Sequence, residues 1–239
     1  MEAHYEHSLW NSVARGKYLG NGGTAFVFLH EGDAVKIPVH FNDASSSSLD
    51  GEIEAIRSEQ SVYHRLNNCC GVVPYLGGTE STITLAYMEN GDLRKYLDNH
   101  RPPQSRQLLW MRDMARALTS IHRRGVLVED IASRNFLLDS DLAPYFCDFA
   151  TSSELTDSQG WSVDAELGQF GAVMYEIVTG KKIEFPVWYD EAGSARLPTR
   201  TNLPSTKGVW LGSTIEKCWT GAFLDASELR NELESVQLD

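Results

Sequence analysis

The first third of the chain alternates short apolar runs with turn residues, which is the pattern of a β-sheet. Apolar runs at residues 26–29 and 34–39 flank Glu31-Gly32-Asp33, a turn sequence typical of a β-hairpin. Residues 52–66 carry apolar side chains at helical spacing with charges between them, which predicts an amphipathic helix. Residues 83–87 predict a further strand. The pattern therefore predicts a β-rich region that contains one helix.

From Asn90 onward the pattern becomes helical. Residues 108–122 carry an apolar stripe that predicts a helix facing a core. Residues 170–178 are almost wholly apolar and end at Gly180 and two lysines, so this helix is expected to lie inside its domain. Two shorter helices are predicted at residues 215–219 and 227–236. We therefore predict an α+β fold with a β-rich domain at residues 1–88 and a mainly helical domain at residues 89–239.

Composition and charge exclude several classes of protein. The 239 residues are 42% hydrophobic, which is enough for a sizeable core, and the formal net charge of −12 argues against a nucleic-acid partner. No apolar stretch approaches the roughly 20 residues that span a bilayer, and the first residues lack the pattern of a signal peptide. The four cysteines show neither disulfide nor metal-site spacing. These features predict an intracellular protein with no membrane or nucleic-acid partner.

Residues 20–27 form a glycine-rich loop between two predicted strands. Its small residues would let the backbone bend closely over a phosphate, with N–H groups facing the anion. No helix follows the loop, which disfavours a dinucleotide-binding unit or a P-loop. On its own such a loop is more often only a turn, but the next strand carries Lys36 in the sequence Ala34-Val35-Lys36.

Glycine-rich loop, strand lysine and several later motifs stand in the order found in the protein-kinase superfamily, which the chain resembles over nearly its whole length. Residues 87–93 look like the hinge, and residues 130–135, Asp-Ile-Ala-Ser-Arg-Asn, resemble the catalytic loop. Asp148-Phe149-Ala150 resembles the metal-binding Asp-Phe-Gly motif. The resemblance implies a bilobal protein-kinase-like fold, with a β-rich N-lobe containing one helix and a mainly helical C-lobe, that binds ATP and Mg²⁺.

The resemblance also implies roles for individual residues. Lys36 would bridge the α- and β-phosphates, and an acid on the helix predicted at residues 52–66 would hold it. We predict this acid to be Glu59, because its spacing from Tyr63 and Leu66 places it on the inward face, whereas Glu52 and Glu54 are expected to be solvated. The remaining implied residues are the catalytic base Asp130 with Arg134 beside it, the magnesium ligands Asn135 and Asp148, and a nucleotide-binding set of Gly20, Asn21, Gly22, Gly23, Ala25, Val27, Ala34, Leu85 at the gatekeeper position, Ala86, Met88 and Leu137.

Several residues depart from the family's pattern. Glu129 replaces the arginine that usually reads a phosphorylated activation loop, Ala150 replaces a glycine, and Glu166 stands where an aspartate is usual. Only 17 residues separate Asp148 from Glu166, and no Ala-Pro-Glu motif occurs there. The arginine that normally pairs with that motif is also missing after Cys218-Trp219. Because both partners are lost together, these changes indicate a consistent redesign of the substrate side.

Three functions remain open. The first is an atypical protein kinase that transfers the γ-phosphate of ATP to a Ser, Thr or Tyr hydroxyl of an unknown protein substrate. The second is a pseudokinase, a scaffold for a binding partner that holds nucleotide without efficient transfer, and the third is a small-molecule kinase. The position of Arg134, four residues after the proposed base, is similar to the tyrosine-kinase arrangement, but a surface arginine would look the same.

Overall fold

The computed structural model describes residues 2–43, 47–155, 163–189 and 195–238. These residues fall into two compact units. The first, here called the sheet unit, comprises Met1–Asn68, Val73–Met88 and Asp148–Ala150. The second, the helical unit, comprises Cys69–Val72, Glu89–Cys147 and Thr151–Asp239.

The sheet unit is built on five antiparallel strands in the order β1-β2-β3-β5-β4. The hairpin predicted at Glu31-Gly32 joins β2 to β3, and both turn residues adopt positive φ, 53° and 96°. Central strand β3 is buried along almost its whole length, as expected for its continuous apolar run. The strands are β1 (Lys17–Asn21), β2 (Ala25–His30), β3 (Asp33–Pro38), β4 (Tyr75–Gly77) and β5 (Ile83–Leu85).

Two helices accompany this sheet, so the prediction of a single helix was wrong. Helix α2 (Leu49–Arg65) is the predicted one, and α1 (Glu2–Val13) was missed. Trp10 of α1 is 4% exposed, and its Nε1 donates to Ser81 Oγ at 3.0 Å. Helix α1 lacks a sustained apolar stripe in its sequence, so packing onto the sheet, and not local pattern, accounts for it. The shared apolar cluster consists of Trp10, Val13, Phe28, Val35, Ile37 and Leu49.

The helical unit is organised around one buried helix, α5. Its residues 165–168 and 170–177 are buried, in agreement with the predicted interior helix. A Cβ on Gly171 would lie 2.7 Å from Cys218 Cβ, so only glycine allows this approach of α5 to α6. The helices are α3 (Leu93–Asn99), α4 (Gln104–His122), α5 (Val163–Thr179), α6 (Gly212–Trp219) and α7 (Ala226–Ser235), and the short strands are β6 (Val126–Leu127), β7 (Phe136–Leu138), β8 (Pro144–Phe146), β9 (Ser153–Glu154), β10 (Trp188–Tyr189) and β11 (Ala195–Arg196).

An arginine–glutamate pair stabilises the C-terminal part of this unit. Arg200 Nε and Nη2 donate to the two carboxylate oxygens of Glu216 at 2.6 and 2.7 Å, and Thr206 Oγ1 donates to the same carboxylate at 2.8 Å. The Arg200 guanidinium lies 5.3 Å from the Trp219 ring. Hydrogen bonding from Arg200 lowers the pKa of Glu216 below its usual value. The helical unit therefore contains a bidentate arginine–glutamate pair near α6. Arg200 and Glu216 differ in position from the family's usual pair, which joins the glutamate of the Ala-Pro-Glu motif to an arginine after the Cys-Trp helix.

The predicted α+β class is confirmed, with a β-sheet in the N-terminal region and helices in the C-terminal region. Across the described residues, no helix combines the length and the apolar character needed to cross a bilayer.

Candidate active site

Lys36 lies on β3 between two neighbouring strands of the sheet. It pairs with Val27 of β2 on one side and with Ile83 of β5 on the other. Lys36 is only 7% exposed, and its ammonium Nζ donates to Glu59 Oε2 at 2.6 Å and to Asp148 Oδ1 at 3.0 Å. The sheet unit thus holds one buried lysine between two carboxylates.

The pairing with Glu59 follows from the buried face of α2. The buried residues of α2 recur every three or four positions, so they share one helix face, and they are Leu49, Glu52, Ile56, Glu59 and Tyr63. Of the three acids considered on this helix, Glu59 is the one that contacts Lys36. Glu54 is exposed, as expected.

Glu52 was expected to be solvated, and this expectation was wrong. Glu52 is 6% exposed. Its Oε2 accepts the backbone N–H of His40 at 2.9 Å, and its Oε1 lies 2.5 Å from His40 Nδ1. The reason is helical periodicity, because Glu52 precedes Glu59 by seven residues, or two turns, and so lies on the same buried face.

The electrostatics of this site favour a charged lysine. Burial opposes the charge on Lys36, but the carboxylates of Glu59 and Asp148 outweigh it and raise the pKa of Lys36 above its ordinary value. Burial also raises the pKa of the Glu59 carboxyl, although attraction to Lys36 acts in the opposite direction. The 2.6 Å contact and the second carboxylate keep a full positive charge on Nζ at neutral pH.

Asp148 and Phe149 are fixed against α2. Phe149 is buried, its ring lies edge-on to Tyr63 with 5.1 Å between centroids, and its N–H donates to Glu59 Oε1 at 3.2 Å. Asp148 has a positive φ of 61°, which is uncommon for a residue other than glycine. Its side chain is 40% exposed, and its Oδ1 is the oxygen that accepts from Lys36.

The predicted nucleotide-binding residues lie mainly on adjoining strands of the sheet. Gly22 N–H donates to the Ala25 carbonyl at 2.9 Å and closes the glycine-rich hairpin. Of the described atoms outside the chain neighbours, none lies within 4 Å of a Cβ placed on Gly20, Gly22 or Gly23, so the loop has open space beside it. The others are placed as follows: Gly20 and Asn21 on β1, Ala25 and Val27 on β2, Ala34 on β3, Leu85 on β5, Ala86 and buried Met88 after β5, and Leu137 on β7 of the helical unit.

Asp130, Arg134 and Asn135 lie together in the helical unit. Arg134 Nη2 lies 2.6 Å from each carboxylate oxygen of Asp130. Asn135 Nδ2 donates to Asp130 Oδ2 at 2.8 Å and to the Asp130 carbonyl at 2.9 Å. A 3₁₀ turn at Ser133–Asn135 produces this arrangement. Because these bonds use the amide nitrogen of Asn135, its amide oxygen is the atom that could serve a metal ion.

Three polar side chains of α5 hold the loop that carries Asp130. The Glu129 N–H donates to Glu166 Oε1 at 2.7 Å, and the Ile131 N–H donates to Gln169 Oε1 at 2.9 Å. Ser133 Oγ donates to Glu176 Oε2 at 2.7 Å. Sequence reasoning missed the roles of Gln169, Ser133 and Glu176, although polar residues at helical spacing in an otherwise apolar helix were a usable signal.

The departure at Glu166 has a structural explanation. Glu166 is fully buried, and its second oxygen lies 2.5 Å from His122 Nε2 at the end of α4. His122 therefore has a structural contact with the buried carboxylate of Glu166. Burial raises the pKa of the Glu129 carboxyl, and the nearby charge of Glu166 raises it further against a hydrogen bond from Ser153.

A cleft of about 230 Å³ lies beside Asp130 within the helical unit. Ile131, Val173 and Phe185 supply apolar wall, while Arg134 and Lys182 supply charge. Residues 156–162, in the shortened segment between Asp148 and Glu166, lie outside the described residues.

The predicted magnesium ligands Asn135 and Asp148 belong to the helical unit and to the sheet unit, respectively. Within the described ranges, no group of three or more His, Cys, Asp or Glu side chains could hold a metal ion. Mg²⁺ commonly takes only one or two protein carboxylates and completes its shell with phosphate oxygens and water.

Comparison with known proteins agrees with these observations. The protein kinase domain family matches residues 13–186, which is more than half of the chain. The chain is similar to the MAP kinase kinase kinase mkh1 of Schizosaccharomyces pombe (24% identity, 80% of the chain, 20% of the relative) and to the Putative L-type lectin-domain containing receptor kinase I.4 of Arabidopsis thaliana (27%, 90% and 34%). It is also similar to the Serine/threonine/tyrosine-protein kinase HT1 of Arabidopsis thaliana (24%, 78% and 54%). The chain thus spans between a fifth and about half of the length of these relatives. Because this family matches most of the chain, the chain belongs to the protein kinase family.

Proposed function

We propose that the protein is an atypical protein kinase that uses ATP and Mg²⁺ to phosphorylate a Ser, Thr or Tyr hydroxyl of a protein substrate. Family membership supports phosphotransfer of the protein-kinase type in general. The finer assignment rests on the contacts of Lys36, Asp130, Asn135 and Asp148 within their two units.

The observation that carries the proposal is the burial of Lys36 between Glu59 and Asp148. A buried ion pair contributes little net stability, because the cost of removing both charges from water offsets their attraction. Stability alone therefore gives no reason for a charged triad at the centre of a sheet. Recognition of a polyphosphate gives such a reason, because Lys36 would bind phosphate oxygens while Glu59 fixes its position.

The residues present fit a bound Mg²⁺ through their oxygen atoms. Asp148 Oδ2 and Asn135 Oδ1 are hard oxygen ligands, and the bonds of each side chain to Lys36 or Asp130 fix its orientation. When bound, Mg²⁺ would neutralise charge on the phosphates.

Asp130 is the proposed catalytic base. An acceptor hydroxyl would give its proton to an Asp130 oxygen as the hydroxyl oxygen bonds to the γ-phosphorus, and the bond from phosphorus to the bridging oxygen of ADP would break. Arg134 and Asn135 orient the Asp130 carboxylate through the bonds described above. The Asp130 side chain is 34% exposed, which leaves it open to an acceptor.

Mg-ATP binding is tested first by thermal unfolding. We expect Mg-ATP at about 100 times its dissociation constant to stabilise the wild-type protein by about 2.7 kcal/mol. Lys36→Met should lose most of this shift at the same ligand concentration, because it removes the phosphate-binding cation. Lys17→Met is the matched control, since Lys17 is an exposed lysine on β1 of the same sheet. Equal shifts in Lys36→Met and wild type would contradict the proposed role of Lys36.

Transfer is then measured with radiolabelled ATP against a panel of proteins and peptides. Label on a protein hydroxyl supports the proposal, whereas label only on small hydroxyl compounds would make the protein a small-molecule kinase. A thermal shift without any transfer would leave the pseudokinase interpretation in its place.

A further inference from the structure

The contact between His40 and Glu52 has no place in the chemistry proposed above. Glu52 is buried near the start of α2, and both of its carboxylate oxygens contact His40. The two other acids near it on α2, Asp50 and Glu54, are exposed. An acid that served only the helix dipole would remain exposed in the same way, because that favourable interaction needs no burial. A buried carboxylate is retained where it has specific partners.

The His40–Glu52 contact lies in line with the contact between Lys36 and Glu59. His40 follows Lys36 by four residues, while Glu52 precedes Glu59 by seven residues. Lys36 lies within β3 and His40 lies in the turn that follows this strand, while seven helical residues span about 10 Å. The two pairs therefore connect β3 and the turn after it to α2 at two points, two helical turns apart on α2.

The contacts of Glu52 with His40 and of Glu59 with Lys36 restrict the rotation of α2 about its own axis. Leu49 joins the apolar cluster of the sheet unit, but the hydrophobic effect that holds such a cluster is non-directional. Hydrogen bonds to a charged group depend on both distance and direction. With Glu52 fixed to His40, the rotation of α2 that would move Glu59 away from Lys36 is opposed two helical turns away.

We propose that His40 and Glu52 are positioning residues that keep Glu59 in contact with Lys36. The effect on ATP use rests on the proposed function, but the effect on Lys36 itself does not. The primary test is therefore the reactivity of the Lys36 amine in the protein without nucleotide.

The experiment compares acylation of Lys36 with that of exposed Lys17 by mass spectrometry at one mildly alkaline pH. Loss of the Glu59 contact frees the buried Lys36 amine from one of its two carboxylate partners and leaves it more accessible to the acylating reagent. We expect His40→Ala and Glu52→Gln each to raise the Lys36/Lys17 ratio by roughly threefold or more, the effect of losing one hydrogen bond of ordinary strength. Glu59→Gln sets the upper limit of this change, and Glu54→Gln is the matched surface control.

Two further comparisons separate positioning from other effects. A charge effect of the Glu52 carboxylate through space would raise the ratio in Glu52→Gln but not in His40→Ala, because only the first substitution removes the carboxylate. His40→Asn, whose amide can donate to Glu52, should return the ratio to the wild-type value. Even if Glu52→Gln folds poorly, His40→Ala keeps the main-chain bond to Glu52 and remains testable.

An unchanged ratio in His40→Ala, measured well below its melting temperature, would overturn the proposal. If the variants raise the ratio but the wild-type protein shows no Mg-ATP shift, the positioning role of His40 and Glu52 stands and the proposed function is rejected. A raised ratio together with a higher KM for ATP would support both.

Discussion

Asp130→Asn should slow phosphoryl transfer by about 10²–10⁴-fold while the protein still binds Mg-ATP. The substitution keeps the size of the side chain and can retain contacts to Asn135, but it removes the carboxylate that would accept the hydroxyl proton. General-base catalysis contributes about 10²–10⁴-fold, so the rate should fall by about that factor. The measurement is single-turnover transfer of label from ATP under conditions that saturate the protein with nucleotide.

The same preparation provides the control for this prediction. The Mg-ATP thermal shift of Asp130→Asn should match that of the wild type, because Asp130 is not among the proposed phosphate or metal ligands. Transfer by the wild type that does not exceed the Asp130→Asn rate would contradict phosphotransfer. If the shift were then preserved in both proteins, the chain would be a nucleotide-binding scaffold.

Glu166→Ala should destabilise the protein by about 3–5 kcal/mol, the range for breaking a buried charged contact by removing one partner. It would leave His122 and the Glu129 N–H without the carboxylate that both contact. Because the Glu129 N–H belongs to the loop that carries Asp130, transfer by the remaining folded protein should also fall. Urea unfolding gives the loss of stability, and transfer assayed far below the unfolding midpoint gives the loss of activity.

Asp164→Ala is the matched control, because it removes an exposed acid from the first turn of the same helix. Its effect should lie within about 0.5 kcal/mol, as for most surface substitutions. Similar losses of stability in the two variants would show that Glu166 acts only as a negative charge in the first turn of α5, and not through its contacts. A double variant with His122→Gln should lose less than the sum of the single changes, since both residues belong to one contact.

The sequence predicted the components of the site that depend on local pattern. Lys36 could be placed because a glycine-rich hairpin and an apolar strand precede and surround it, and Glu59 because helical spacing relates it to Tyr63. The same spacing applied to Glu52 would have predicted its burial. The contact of Glu52 with His40 could not be predicted in this way, because His40 lies in a turn that has no periodic pattern.

Other features depend on contacts between distant segments and leave no local pattern. Helix α1 is stabilised by Trp10 against Ser81, a contact across 71 residues. The bonds from α5 to the Asp130 loop join segments 37 to 43 residues apart. Single-sequence patterns report local spacing, so long-range contacts of this kind could not be deduced from them.

The bonds from α5 to the Asp130 loop have a consequence for the entropy of substrate binding. A loop that became ordered only on contact with its substrate would subtract its ordering entropy from the binding free energy at every turnover. Here Glu166, Gln169 and Glu176 hold the loop through its backbone and Ser133 before any acceptor arrives. The loop therefore loses its conformational entropy once, when the chain folds. Under the proposed function, this loss does not weaken the binding of the acceptor.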